Sequence, residues 1–162
     1  MKIKYVVIGL LILISFILCW FFIVKNNRSI IRKADKFTLE ELPACLLRLQ
    51  QGKMEYPFFG ITSNGIDCIY FVREGDKFNI EFEAIIKEQL PYIVKLKDYS
   101  EEKKYKFSVT TYGNKPKYPE LQEAPVISIE IFSDIKNTTE IGKEIQKFIF
   151  ENKESTIYEV IP

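Results

Sequence analysis

The stretch Ile66-Asp-Cys-Ile-Tyr-Phe-Val-Arg-Glu-Gly-Asp-Lys-Phe-Asn-Ile-Glu-Phe-Glu-Ala-Ile-Ile86 carries the strongest structural signal in the chain. Two apolar-rich segments, 66–73 and 77–86, flank Glu74-Gly75-Asp76, a short loop whose glycine suits a positive φ. In the second segment Phe78, Ile80 and Phe82 alternate with Asn79, Glu81 and Glu83, which predicts one apolar face and one wet face. The first segment is apolar on both sides in its middle, as a central strand should be. A β-hairpin inside a larger sheet is the reading from which the rest follows.

Further strands are predicted around it. Residues 56–61 form an earlier one, weakened by Pro57. Residues 105–112 alternate Tyr105, Phe107, Val109 and Thr111 on one face, and 126–132 read Val-Ile-Ser-Ile-Glu-Ile-Phe. Residues 156–161 close the chain as a short strand. Three helices intervene. In 38–51, Leu39, Leu42, Leu46 and Leu49 share a helical face, Thr38 with Glu41 fits a capping box, and Gly52 fits a stop. Pro43 lies five residues in, so the helix either starts near Leu42 or kinks there. A second helix begins near Pro91. The last has Asn137 as its N-cap with Glu140, an apolar stripe of Ile141, Ile145, Phe148 and Ile149, and an end near Asn152. Glu144 falls on the opposite, solvated side. This order lacks regular βαβ alternation, so the fold class is α+β, a mainly antiparallel sheet with amphipathic helices over one face.

Ahead of the domain, the run from Tyr5 to Val24 contains no charge. Twenty helical residues span about 30 Å, the thickness of a bilayer's hydrocarbon core. Its end, Trp20-Phe-Phe-Ile-Val24, offers no small-residue cleavage site, and Leu18 is too large to precede a lipid-modified Cys19. The expected organisation is an uncleaved membrane anchor over 1–24, a basic linker over 25–37 and a globular domain over 38–162. The basic flank after the run argues for a domain held inside, whereas Lys2 and Lys4 crowd its start like a signal n-region. We adopt the outward-facing orientation at the cell membrane.

The whole chain of 162 residues has 23 basic and 22 acidic side chains, which excludes a strongly basic nucleic-acid binder. It has no histidine, so Ser–His and Cys–His nucleophile pairs within the chain are excluded. Cys45 and Cys68 are too far apart in sequence for a Cys-x-x-Cys ligand pair, and no glycine-rich phosphate loop exists. No metal, cofactor or catalytic residue is expected. The two cysteines could meet as a disulfide if the first helix packs on the sheet, though small buried thiols explain them as well.

Three function classes remain. The leading one is a non-enzymatic, membrane-anchored domain that binds a protein partner. Small immunity proteins and accessory factors of envelope machines share that build, a comparison of architecture alone. Tyr112, Lys115, Lys117 and Tyr118, in a proline-stiffened segment, are its candidate contacts, because tyrosines give large contact area with few rotatable bonds. The second class is a carboxylate enzyme at the membrane surface using Asp67, Glu81 or Glu83. The third is a small-ligand sensor with Tyr70, Phe71 and Phe82 lining a pocket.

Overall fold

In the computed structural model of the protein, the described residues are 36–111 and 124–161. They form seven strands and three α-helices. β1 is Lys36–Phe37, α1 Leu42–Gln50, β2 Phe58–Thr62, β3 Ile69–Glu74, β4 Lys77–Glu83 and α2 Leu90–Lys103. β5 is Lys106–Thr111, β6 Pro125–Ser133, α3 Ile135–Glu144 and β7 Tyr158–Ile161. One sheet runs β1-β7-β2-β3-β4-β6-β5, with every neighbouring pair antiparallel. The α+β class with a mainly antiparallel sheet is therefore as expected.

The hairpin occupies the centre. β3 is the fourth of the seven strands, and Glu74 pairs with Lys77 across a two-residue turn in which Gly75 has φ +65°. Positive φ at that position costs glycine little. β3 starts three residues later than the apolar pattern suggests, because Asn64 Oδ1 accepts from the Ile66 N–H and turns the chain. Lys36 and Phe37, expected in the linker, pair with Glu159 and Tyr158 instead. Phe37 is buried there.

Proline sets both early helix starts. A single 3₁₀ turn, Leu39–Glu41, precedes α1, and Pro43 then sits in the first α-helical turn, where its missing N–H is no loss. The Thr38 N–H donates to Glu41 Oε2 at 3.0 Å. At the other end Gly52, φ +66°, donates to the Leu49 carbonyl while Lys53 donates to that of Arg48, a Schellman ending. Arg73 Nη1 bonds the Leu49 and Gln50 carbonyls, tying this helix end to β3. Pro91 opens α2 in the same way.

Helices α1 and α3 lie on the face that presents Phe71. Gly142 of α3 is so close to Phe71 and Leu42 that a Cβ would sit 2.9 Å from one and 3.2 Å from the other. Beneath the helices Phe59, Phe71, Ile80 and Ile129 align across four strands, with Ile61, Ile69, Phe82 and Ile127 in the next row. All eight are at most 1% exposed.

The last helix differs from its sequence pattern at both ends. Asp134, not Asn137, is the N-cap: its Oδ1 accepts from the Asn137 N–H at 2.8 Å. At the other end α3 runs into a π-helical turn, Ile145–Ile149, closed by Phe150 N–H to the Ile145 carbonyl at 3.2 Å. The wider turn rotates later residues away from the 3.6-residue stripe. Ile141, Ile145 and Ile149 are buried as expected, but Phe148 is 64% exposed. Glu144 is not idle either. Its Oε2 accepts from Lys103 Nζ at 2.9 Å and from the Tyr99 hydroxyl at 2.8 Å, joining α3 to α2. Those bonds, Lys103's first, hold its carboxyl below the usual value.

Among the described residues no helix is long and apolar enough to cross a membrane, and the run from Tyr5 to Val24 lies outside them.

Candidate functional site

The face of the sheet away from the described helices carries an aromatic cluster. Strand alternation places Phe58, Gly60, Tyr70, Val72, Asn79, Glu81, Ser128 and Ser108 there. Pro57 lies between Tyr56 and β2, whose first residue is Phe58. The Tyr56 and Phe58 rings stack with centroids 5.5 Å apart, and Phe58 meets Tyr70 edge-on at 6.1 Å. Tyr56 is 46% exposed, while Phe58 and Tyr70 are half-buried. Gly60 makes room for this cluster, since a Cβ there would sit 2.8 Å from the Tyr70 ring.

At the same end of the sheet β6 contains a bulge. Asn79 Oδ1 accepts from both the Ile131 and Phe132 N–H groups at 3.0 Å, and its Nδ2 donates to Glu74 Oε2 at 2.8 Å. Phe132 takes φ +42°, a strained value for a bulky residue, and is 51% exposed. Asn79 was expected on a wet face. It is 6% exposed, because its carboxamide closes the bulge.

The carboxylates of the enzyme reading separate into two settings. Asp67 is 1% exposed and accepts from Thr62 Oγ1 at 2.6 Å, Ser63 Oγ at 2.6 Å, the Ser63 N–H at 2.9 Å and Asn152 Nδ2 at 2.6 Å. Burial alone would raise its pKa, but hydrogen bonds from Ser63, Thr62 and Asn152 outweigh it and the value falls. This carboxylate organises a loop. Its neighbours extend the network: Gln146 Nε2 donates to the Asp67 carbonyl, and Gln89 Nε2 to that of Ile66. Glu81 and Glu83 project together from β4, Glu81 opposite Tyr70. Burial first, then the Glu83 charge, raises the Glu81 carboxyl.

Phe71 and Phe82 lie wholly within the core under the helices, whereas Tyr70 faces the other way. These three cannot line one pocket, so the sensor reading loses its residues. Cys68 shares the open face with Tyr70, within 3.3 Å of the Gly60 Cβ position, while Cys45 is on α1 and packs toward the helix-side core. The two form no disulfide; the sheet lies between them. Burial, only partly offset by Tyr70, pushes the Cys68 thiol up to about 11, so it stays protonated at neutral pH. Tyr112, Lys115, Lys117 and Tyr118 lie outside the described residues.

Two clefts of about 440 and 410 Å³ flank Phe148 on the helical side. Their walls are ion-paired, as in Lys103–Glu144, Lys147–Glu154 and Lys95–Glu151. Neither contains Asp67, Glu81 or Glu83. Among the described residues no group of three or more Cys, Asp and Glu side chains could hold a metal ion.

Sequence reasoning therefore missed the Tyr56–Phe58–Tyr70 cluster and Phe132. The Tyr-x-Phe spacing was visible, but which face it occupied depends on the sheet. No protein-family model, curated protein or solved structure matches this chain.

Proposed function

We propose that this protein is a membrane-anchored, non-enzymatic interaction domain, held at the cell membrane through residues 5–24 with the domain facing outward. The observation that carries it is the exposed Tyr56 ring stacked on Phe58, itself braced by Tyr70, on the sheet face opposite the described helices. Aromatic anchors already fixed by neighbours lose little side-chain entropy on binding, which is why they dominate interfaces. Tyr112, Lys115, Lys117 and Tyr118 belong to the same proposal on the strength of their composition. The raised Glu81 carboxyl beside Glu83 is the one feature favouring the alternative, a carboxylate enzyme at the membrane surface.

Both parts are testable on the full-length protein purified from its native membranes. Alkaline carbonate should leave it in the membrane pellet, and detergent extraction should recover it with a stoichiometric protein partner. Tyr56→Ala with Phe58→Ala should lower the yield of that partner at least tenfold, equivalent to about 1.4 kcal/mol, while Glu81→Gln leaves it unchanged. Release by carbonate would remove the anchor. Partner retention in the double alanine variant would remove the aromatic surface.

A further inference from the structure

The loop between β2 and β3 contains Asn64-Gly65, the one Asn-Gly dipeptide in the chain. Both residues are exposed. An asparagine before glycine is prone to cyclise, because glycine has no side chain to shield its amide nitrogen. That nitrogen attacks the asparagine Cγ. The N–Cγ bond forms, the amide proton passes through solvent to Nδ2, and the Cγ–Nδ2 bond breaks to release ammonia. Water then opens the resulting succinimide at either carbonyl, leaving aspartate or isoaspartate. Water is the only co-reactant.

In this fold the reaction is blocked by position. In a succinimide, Cγ occupies the place to which the Gly65 N–H now points. That place holds Thr62 Oγ1, which accepts the N–H at 2.7 Å. The Thr62 hydroxyl is itself buried and fixed, donating to Asp67 Oδ1 at 2.6 Å. The asparagine side chain is held too. Asn64 Oδ1 accepts from the Ile66 N–H at 2.8 Å and the Asp67 N–H at 3.3 Å, so turning the carboxamide onto the Gly65 nitrogen gives up those bonds. From outside the loop, Gln89 Nε2 donates to the Gly65 carbonyl at 3.4 Å.

We propose that Asn64-Gly65 is a latent self-modification site, a succinimide-forming pair that the Thr62 hydroxyl, oriented by Asp67, holds closed. It converts only when the loop opens, so its rate follows the local opening equilibrium. The change is one-way. Isoaspartate adds a methylene to the main chain at residue 64, and the loop then cannot keep both the Gly65 bond to Thr62 and the two bonds onto the residue 64 side chain. Gln146 and Asn152 also bond to Asp67, so a modified loop loosens its hold on the chain after the π turn.

The test follows Asn64 in the full-length protein in detergent, incubated in mildly alkaline buffer with and without concentrated urea. Peptide mapping counts the aspartyl and isoaspartyl products. Folded wild type should convert at least tenfold more slowly than the urea-unfolded chain, an opening free energy of about 1.4 kcal/mol or more. Thr62→Val removes the blocking hydroxyl and should approach the unfolded rate while its circular dichroism stays that of the folded chain. Thr62→Ser keeps the hydroxyl and should stay slow. Asp67→Asn, which loosens the hold on that hydroxyl, should lie between. Leu49→Ala, which weakens the core away from the loop, should convert as slowly as wild type. A folded wild type as fast as the unfolded chain, or a folded Thr62→Val no faster than Leu49→Ala, would overturn the proposal. If Thr62→Val does not fold, Asp67→Asn decides on the same comparison.

Discussion

Ile145→Asp should lower the stability of the domain by about 4 kcal/mol or more at 25 °C. Ile145 is wholly buried at the start of the π turn, within the core cluster that includes Phe71, Ile80 and Leu46. An aspartate there either buries an unpaired charge or stays protonated at a cost, and the isoleucine's packing is lost as well. The sum is about 4 kcal/mol or more, set against a total stability of about 5–15 kcal/mol for a domain. Phe148→Asp is the instructive control. In a regular α-helix, residues three apart lie near one another, so Phe148 would be buried with Ile145 and equally sensitive. The π turn puts it in solvent, and its replacement should change stability by under about 0.5 kcal/mol. Urea denaturation of both variants measures the difference. Equal losses would mean that the turn is α-helical and the stripe continuous.

The second large effect is expected at Asp67. Asp67→Ala removes the acceptor for Thr62, Ser63 and Asn152 at once, leaving the buried Thr62 hydroxyl and the part-buried Ser63 donors without it, while Asn152 Nδ2 keeps its bond to Gln146 Oε1. Such losses cost about 1–3 kcal/mol for each unsatisfied group, not additively, so a total of about 3–5 kcal/mol is expected. Asp67→Asn keeps the shape but turns two acceptor oxygens into one, and should fall between. The pH dependence follows from the sign of the shift. The folded-state pKa is below the ordinary value of 3.8, so the unfolded chain takes up the proton first. The contribution is complete well above pH 4 and disappears as pH falls below it, through the folded pKa. Urea midpoints of wild type should therefore decline on acidification below about pH 4 more steeply than those of Asp67→Asn. Parallel declines would separate Asp67 from the acid response.

How far the sequence revealed this arrangement depends on how far each signal reaches along the chain. The 66–86 hairpin was legible because alternation and Gly75 act over a few residues, and Pro43 and Pro91 marked helix starts for the same reason. Asp134 was missed in favour of Asn137 because both can cap a helix and only the observed bond chooses between them. The Asn79 bond to Phe132 spans 53 residues and the Asn152 bond to Asp67 spans 85. Each exists only once the sheet order has placed β4 beside β6 and the chain after the π turn over the 62–67 loop. That is why Asn79 and Asp67 read as polar surface or as catalytic carboxylate, although both are internal braces. The candidate site has the same history. Phe58 and Tyr70 meet because β2 pairs with β3, and Tyr56 joins them through a stacking contact that periodicity alone does not encode.

The proposed function requires that a partner bind the sheet face opposite the described helices. Photo-crosslinking in living cells reads this directly, with a benzophenone amino acid placed at Tyr56 in one variant and at Val94 of α2 in another. Both positions are exposed, 46% and 59%, so insertion should leave the fold intact. One discrete protein adduct is expected from Tyr56 and none of that mass from Val94. An adduct of the same mass from Val94 alone, or from neither position, would contradict it.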